Sequence, residues 1–267
     1  MLIMTRRLYF AAAHRDIQGS ELTGHTYTLD VAVSGHINER TGLLVNIKEL
    51  DRIVKEHVLN QIDGKCLNDR LSFFQAHLAT PENIATYIAG TVHPFLPSDI
   101  HLHSVRLQPT PVLYTEWLSS LKEVSHMLLT KIYEFSASHR LHSDSLSAEE
   151  NRTLFGKCNN PNGHGHNYEL EVTICGPINP ITGRVLPPER LDAVVEREVL
   201  SRYDHRYLNL DVPEFAHVVP SAEMIVKTIW ERLRPCIPAP ARLYRLRLYE
   251  TPRNLFEYSE EDDKEQR

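Results

Sequence analysis

The chain has 267 residues, 42% hydrophobic and 24% charged, with 29 Lys plus Arg against 35 Asp plus Glu and a formal net charge of −6. This length suits two ordinary domains or one large one. The charge balance argues against a nucleic-acid partner, which needs a concentrated basic face. No apolar stretch approaches the roughly 18 residues of a membrane span.

In chain order, the first apolar run, Leu8–Ala13, is too short for a signal peptide and leads into His14. Tyr27-Thr28-Leu29-Asp30-Val31 alternates apolar and polar residues, the pattern of a half-buried strand. Leu50, Ile53, Val54 and Val58 have helical spacing, and Asn46 with Glu49 predicts a capping box. Thr80-Pro81-Glu82 opens a second helix, and Leu102–Leu107 is extended. The same order then returns. Lys131 to His139 reads as a strand with Tyr133, Phe135, Ala137 and His139 on one face. Tyr168 to Ile174 alternates strictly. A helix carrying Leu191, Val194, Val195 and Val199 is entered through Pro187-Pro188, another starts at Ser221, and Leu243–Glu250 is extended.

The chain is therefore a tandem repeat. At an offset of 141, Gly24-His25-Thr26-Tyr27 falls on Gly165-His166-Asn167-Tyr168, Thr41-Gly42 on Thr182-Gly183, Asp63 on Asp204 and Glu82 on Glu223. Phe10 to His14 falls on Phe135 to His139 at an offset of 125, so the second copy carries 16 more residues between these two segments. The expected layout is a first domain at 1–124, a second at 125–259, a join near 119–127 and a solvated acidic tail at 260–267. Blocks of strands separated from helices predict an α+β fold with helices on one face of an antiparallel sheet. Cys66, Cys158, Cys175 and Cys236 form no C-x-x-C pair and no disulfide framework, so a reducing, cytoplasmic setting is expected.

The second copy carries chemistry. His164-Gly165-His166 places two imidazoles on one face of a strand, and His139 ends the preceding strand on its apolar face. Three neutral imidazoles leave one tetrahedral position open, the arrangement of a catalytic zinc. Cys158 lies six residues before His164 and could serve as a thiolate base or nucleophile. Asp204-His205 offers a carboxylate beside an imidazole, either an acid–base pair or an ordinary loop dipeptide. Glu250 continues the inward face of its strand and needs a partner there. That partner is either a ligand with paired N–H groups, such as a pterin or guanine ring, or an arginine such as Arg245 or Arg247 of a neighbour.

The run Leu154-Phe155-Gly156-Lys157-Cys158-Asn159-Asn160-Pro161-Asn162-Gly163-His164-Gly165-His166-Asn167-Tyr168 closely resembles the signature of the 6-pyruvoyltetrahydropterin synthases. The resemblance spans the second copy, from Phe135-Ser136-Ala137-Ser138-His139-Arg140-Leu141 to about Tyr258. It implies two tandem tunnelling-fold domains, each a four-stranded antiparallel sheet with two helices, assembled as a homo-oligomer. Three two-domain chains would supply six such units. It implies a zinc-dependent lyase that removes triphosphate from 7,8-dihydroneopterin triphosphate. His139, His164 and His166 would hold Zn2+, Cys158 would be the base, and Asp204 with His205 would complete proton transfer. Glu250 would anchor the pterin, and Glu223 would be a further ring contact. Family members often have two threonines where Ser221-Ala222 stands here. The nearest rival is the 6-carboxytetrahydropterin synthases of the queuosine pathway, which use the same substrate and release acetaldehyde. Their cysteine commonly lies closer to the H-G-H element, so the gap Asn159 to Gly163 favours the pyruvoyl type. A non-catalytic pterin-binding scaffold is the reading from a different class. Arg140 and Lys157 are the nearest cations for a triphosphate.

At the matching positions the first copy keeps His14 and His25 but has Thr23 for His164, Gly64 for His205 and Pro109 for Glu250. The segment that would carry the base cysteine is missing, and Cys66 matches no family position. The first copy is expected to be a structural or interface domain, with one zinc per chain.

Overall fold

The structure is a computed structural model that describes residues 1–15, 21–121, 126–259 and 261–262. Four residues of the expected join, 122–125, and most of the expected acidic tail lie outside the described residues. The chain divides into two compact units: Met1–Thr130 with Cys175–Pro187, and Lys131–Ile174 with the chain from Pro188 on.

The first unit is built on β1 (Leu2–His14), β2 (Thr23–Gly35), β3 (Lys65–Cys66), β4 (Ile100–Thr110) and β5 (Leu113–Leu118), in the sheet order β3-β1-β2-β4-β5. The four long strands are antiparallel, with His14 opposite Thr23 and Val31 opposite Val105. The second unit repeats this as β8-β6-β7-β9-β10, from β6 (His126–His139), β7 (His164–Pro177), β8 (Arg206–Tyr207), β9 (Arg242–Thr251) and β10 (Asn254–Ser259). Each unit has four long strands joined by a two-residue strand. That strand runs parallel to the first long one: Ala12 pairs with Lys65, and Ala137 with Arg206.

The helices also match. Helix Ile47–Val54 passes into a π-helical turn, Lys55–Leu59, and helix Pro188–Val195 passes into Glu196–Leu200 in the same way. Each π turn absorbs one extra residue in the helix before the chain reaches Asp63 or Asp204. Their apolar stripes, Leu50, Ile53, Val54 and Val58 in one and Leu191, Val194, Val195 and Val199 in the other, are buried. One strand-to-helix ion pair recurs: Arg6 Nε lies 2.6 Å from Asp51, and Lys131 Nζ donates to Asp192 at 2.6 Å. Phe10 stacks on Tyr27 at 4.8 Å and Phe135 on Tyr168 at 4.9 Å. Asn46 caps its helix by accepting from Lys48 N–H, without the reciprocal glutamate bond expected of a capping box. Thr80 and Ser221 cap helices Pro81–Val92 and Ala222–Leu233 as expected.

The insertion of the second copy forms a helix, Ala148–Phe155, closed at its start by a capping box between Ser147 and Glu150. Cys158 sits in the following 3-10 turn, Gly156–Asn159. Gly163 then returns the chain to β7 with φ +70; a Cβ there would lie 3.0 Å from His139 O and 2.9 Å from the Tyr207 ring.

Candidate active site

The end of β6 and the start of β7 bring the three histidines together. One ring nitrogen from each of His139, His164 and His166 lies within 4.8 Å of the others, and His139 Nε2 is 3.2 Å from His164 Nε2. His139 is fully buried. Its Nδ1–H donates to the Pro220 carbonyl at 2.6 Å, which fixes the tautomer and turns the Nε2 lone pair toward the other rings. His166 Nε2 and His164 Nδ1 are buried without a hydrogen-bond partner. Burial pushes His139 and His166 below the ordinary imidazole value; for His166 this opposes the pull of Glu250. Three imidazoles with one nitrogen each close together, that of His166 buried without a partner, fit a Zn2+-type cation.

Glu250 closes the cluster. Its Oε1 lies 3.7 Å from both His139 Nε2 and His166 Nε2, while Oε2 accepts from Asn254 at 3.4 Å. Within the chain, Arg245 and Arg247 lie 3.8 and 2.6 Å from Glu257.

The short parallel strand β8 brings Asp204 and His205 against β6. Asp204 Oδ1 accepts from Ser136 N–H at 2.8 Å, and Oδ2 is 2.9 Å from His205 Nδ1. The Ser136 N–H, and secondarily His205, hold the Asp204 carboxyl below its ordinary value. His205 is the one described non-glycine residue with positive φ, +56, and its side chain is 82% exposed. A β-carbon in that region strains the backbone, and such strain concentrates at functional positions. An open groove of about 620 Å³ runs between Ser136, His166, Asn167, His205 and Tyr207, so one histidine of the cluster, His166, and His205 line the same groove.

The remaining expected residues are more dispersed. Cys158 is half-buried and free, and is not a member of the three-histidine cluster. Arg140 and Lys157 line a second pocket, of about 600 Å³, with His142 and Arg152. Glu223 is exposed in the first turn of its helix. Sequence reasoning missed the Pro220 carbonyl and the Ser136 N–H. Both are backbone groups and leave no mark in residue type.

In the first unit, the same groove, of about 560 Å³, is lined by Ala11, Ala13, His25, Thr26, Gly64 and Cys66. Thr23 Oγ1 approaches His14 Nε2 at 3.5 Å where the second copy has an imidazole. Among the described residues, the three histidines of the second unit are the one group suited to hold a metal.

These features define a duplicated α+β protein with one tri-histidine centre. The family model described as 6-pyruvoyl tetrahydropterin synthase matches residues 3–118 and again 128–261, and the chain belongs to that family. It is 48% identical over 127 residues to human 6-pyruvoyl tetrahydrobiopterin synthase, covering 48% of this chain and 87% of the relative. It is 32% identical over 103 residues to the dihydroneopterin monophosphate aldolase of Pyrococcus furiosus, covering 38% and 83%. The structure of Caenorhabditis elegans 6-pyruvoyl tetrahydropterin synthase matches with 40% identity and a TM-score of 0.48, covering 50% of this chain and 95% of that one.

Proposed function

We propose that the second copy is a zinc-dependent lyase of the 6-pyruvoyltetrahydropterin synthase type, acting on 7,8-dihydroneopterin triphosphate. The observation that carries this reading is the convergence of His139, His164 and His166 beside Glu250, with His205 lining the same groove as His166. The human relative, 48% identical, bears the name of that activity.

The three imidazoles would hold the cation through one nitrogen each, with His139 locked by Pro220. When bound, Zn2+ supplies a Lewis acid for side-chain oxygens of the substrate. Glu250 receives the paired N–H groups of the pterin ring and sets its orientation, with Glu223 as a further contact. The Cys158 sulfur takes a proton from the substrate side chain, and the triphosphate departs with the electron pair of the broken C–O bond. His205, exposed and held by Asp204, moves protons during the tautomerisation that follows. Arg140, Arg152 and Lys157 offer positive charge to the triphosphate. The 6-carboxytetrahydropterin synthases are similar in fold, zinc ligands and acid–base groups; the five-residue gap between Cys158 and His164 favours the pyruvoyl product.

The two copies are tunnelling-fold domains at 1–124 and 125–259, each with helices on one face of its sheet. Three chains supply the six units of the assembly. No described helix is long and apolar enough to cross a membrane, and the chain's setting is proposed to be cytoplasmic. The test is incubation of the zinc-loaded protein with dihydroneopterin triphosphate and identification of the product by mass. A pyruvoyl pterin is expected. A carboxy pterin with acetaldehyde would assign the rival, and recovery of unchanged substrate would overturn the enzyme reading.

A further inference from the structure

The loop between Asp204–His205 and helix Ala222–Leu233 has a group of the candidate site at each end. It begins with the acid–base pair and closes at Pro220, whose carbonyl accepts from His139. Four half-buried charged side chains tie its middle to the elements on both sides. Glu214 Oε1 accepts from Arg202 Nη2 at 2.7 Å and from Arg232 Nη1 at 2.6 Å. Arg202 stands two residues before Asp204, and Arg232 is in the last turn of the helix that follows Pro220. Arg232 directs its other nitrogens to the π turn Glu196–Leu200. Nη2 donates to Glu198 Oε2 at 2.6 Å, and Nε to the Glu198 carbonyl at 2.9 Å. The second oxygen of Glu214, Oε2, is buried without a hydrogen-bond partner, so both guanidinium bonds fall on one atom. Between Arg202 and Asp204, Tyr203 is fully buried against Phe135 and Phe215.

The first copy builds the same elements without these charges. At an offset of 141, Glu198, Arg202, Glu214 and Arg232 fall on His57, Gln61, Phe73 and Thr91. His57 stacks on Phe95 at 3.5 Å, and Phe73 on His77 at 4.3 Å. What the loops share is elsewhere. Phe74 is buried like its counterpart Phe215, and Asn68 accepts from Arg15 N–H at 2.9 Å as Asn209 accepts from Arg140 N–H at 2.8 Å. Helix, π turn and loop therefore form without the charge network. The two solutions differ in precision. Aromatic pairs accept a range of offsets, whereas a guanidinium held by several short bonds to carboxylates has a fixed geometry. The precise solution is the one in the copy that holds the histidine cluster.

We propose that Glu214 is a positioning residue for the site of the second copy. By joining Arg202 to Arg232, it fixes the spacing between the segment that presents His205 and the helix start whose preceding carbonyl orients His139. The helix carries the constraint, since Arg232 and the cap Ser221 stand at its opposite ends, roughly 16 Å apart along a stiff axis. Glu214 acts through this backbone and not on the substrate. The proposal rests on the reading of the second copy as a metal enzyme, but its zinc readout needs no turnover.

The test is steady-state kinetics on dihydroneopterin triphosphate together with Zn2+ binding by equilibrium dialysis. Glu214→Gln keeps the shape and removes the charge. It should lower kcat by about 10–100-fold, leave KM within about twofold of wild type and weaken Zn2+ binding about tenfold. Lys131→Met breaks another ion pair of the same unit, Lys131 to Asp192, and should leave all three at wild-type values. A role confined to stability would lower the denaturation midpoint of both variants and move neither kcat nor Zn2+ affinity. Exchanging all four residues for those of the first copy, E198H, R202Q, E214F and R232T, removes the charges together. It should repeat the losses of Glu214→Gln, and it decides the question if the single variant does not fold. Wild-type kcat and Zn2+ affinity in folded Glu214→Gln or in the fourfold variant would overturn the proposal, as would equal losses in Lys131→Met. If the wild-type chain gives no pterin product, weakened Zn2+ binding in Glu214→Gln still supports the positioning role, and only the catalytic reading fails.

Discussion

The two copies share a scaffold and differ in what the scaffold holds. Asp63 and Asp204 make the same bond to the first strand, Ala11 N–H to Asp63 Oδ1 at 2.9 Å and Ser136 N–H to Asp204 Oδ1 at 2.8 Å. The residue after each aspartate donates back to that strand: Gly64 to Ala11 O at 2.7 Å, and His205 to Ser136 O at 2.6 Å. One oxygen of Asp204 is thus architectural and persists in the copy without the site. The other is committed to His205. The backbone there is left-handed in both copies, φ +66 at Gly64 and +56 at His205. Glycine adopts that conformation freely, whereas histidine is strained in it. The second copy tolerates strain to present an imidazole, and the first has relaxed.

The comparison breaks hardest at the metal. His164→Thr, which writes the residue of the first copy into the second, should abolish turnover and weaken Zn2+ binding by more than about 100-fold, since even losing an outer-shell partner costs roughly 10–100-fold. Equilibrium dialysis against zinc checks the second part. Cys158→Ala should lower turnover by about 10²–10⁴-fold while zinc content stays at the wild-type level. Turnover within a few-fold of wild type would remove Cys158 as the base.

Smaller effects sharpen the scaffold argument. His205→Gly should raise stability by about 1 kcal/mol as it destroys activity, and Gly64→His should lower it by a similar amount. Chemical denaturation reads both. The smallest effect is electrostatic. The folded pKa of Asp204 lies below its ordinary 3.8, so between those values the unfolded chain binds more protons. The stability this contributes is complete above the ordinary value and is lost as pH falls below it. Asp204→Asn should therefore flatten part of the acid limb of the stability profile, seen as a smaller drop in denaturation midpoint between about pH 5 and pH 3.

Much of this architecture was legible because it follows side-chain periodicity. Tyr168, Leu170, Val172 and Ile174 alternate and are buried, and His139 falls in phase with Phe135 and Ala137. That phase is what brought three histidines together on paper. The illegible parts are carried by backbone. The π turns at Lys55–Leu59 and Glu196–Leu200 shift the helix by one residue without altering its apolar stripe. Strands β3 and β8 are two residues long, too short for any alternation. The Pro220 carbonyl orients His139 from 81 residues away. Helix Ala148–Phe155 buries only Asn151 among its residues, so it shows no apolar stripe to read. The packing of Cys175–Pro187 with the first unit depends on Gly183 and on bonds between its backbone and the Thr80 and Glu82 side chains, 103 residues away, a separation the residue types do not announce.

The central claim is that one copy holds a complete site and the other keeps only its frame. Zinc bound per chain, measured on protein stripped of metal and reloaded, addresses it directly. One zinc per chain, lost in His139→Ala and retained in His14→Ala, is the expected result. Two per chain, or one that survives His139→Ala, would contradict it.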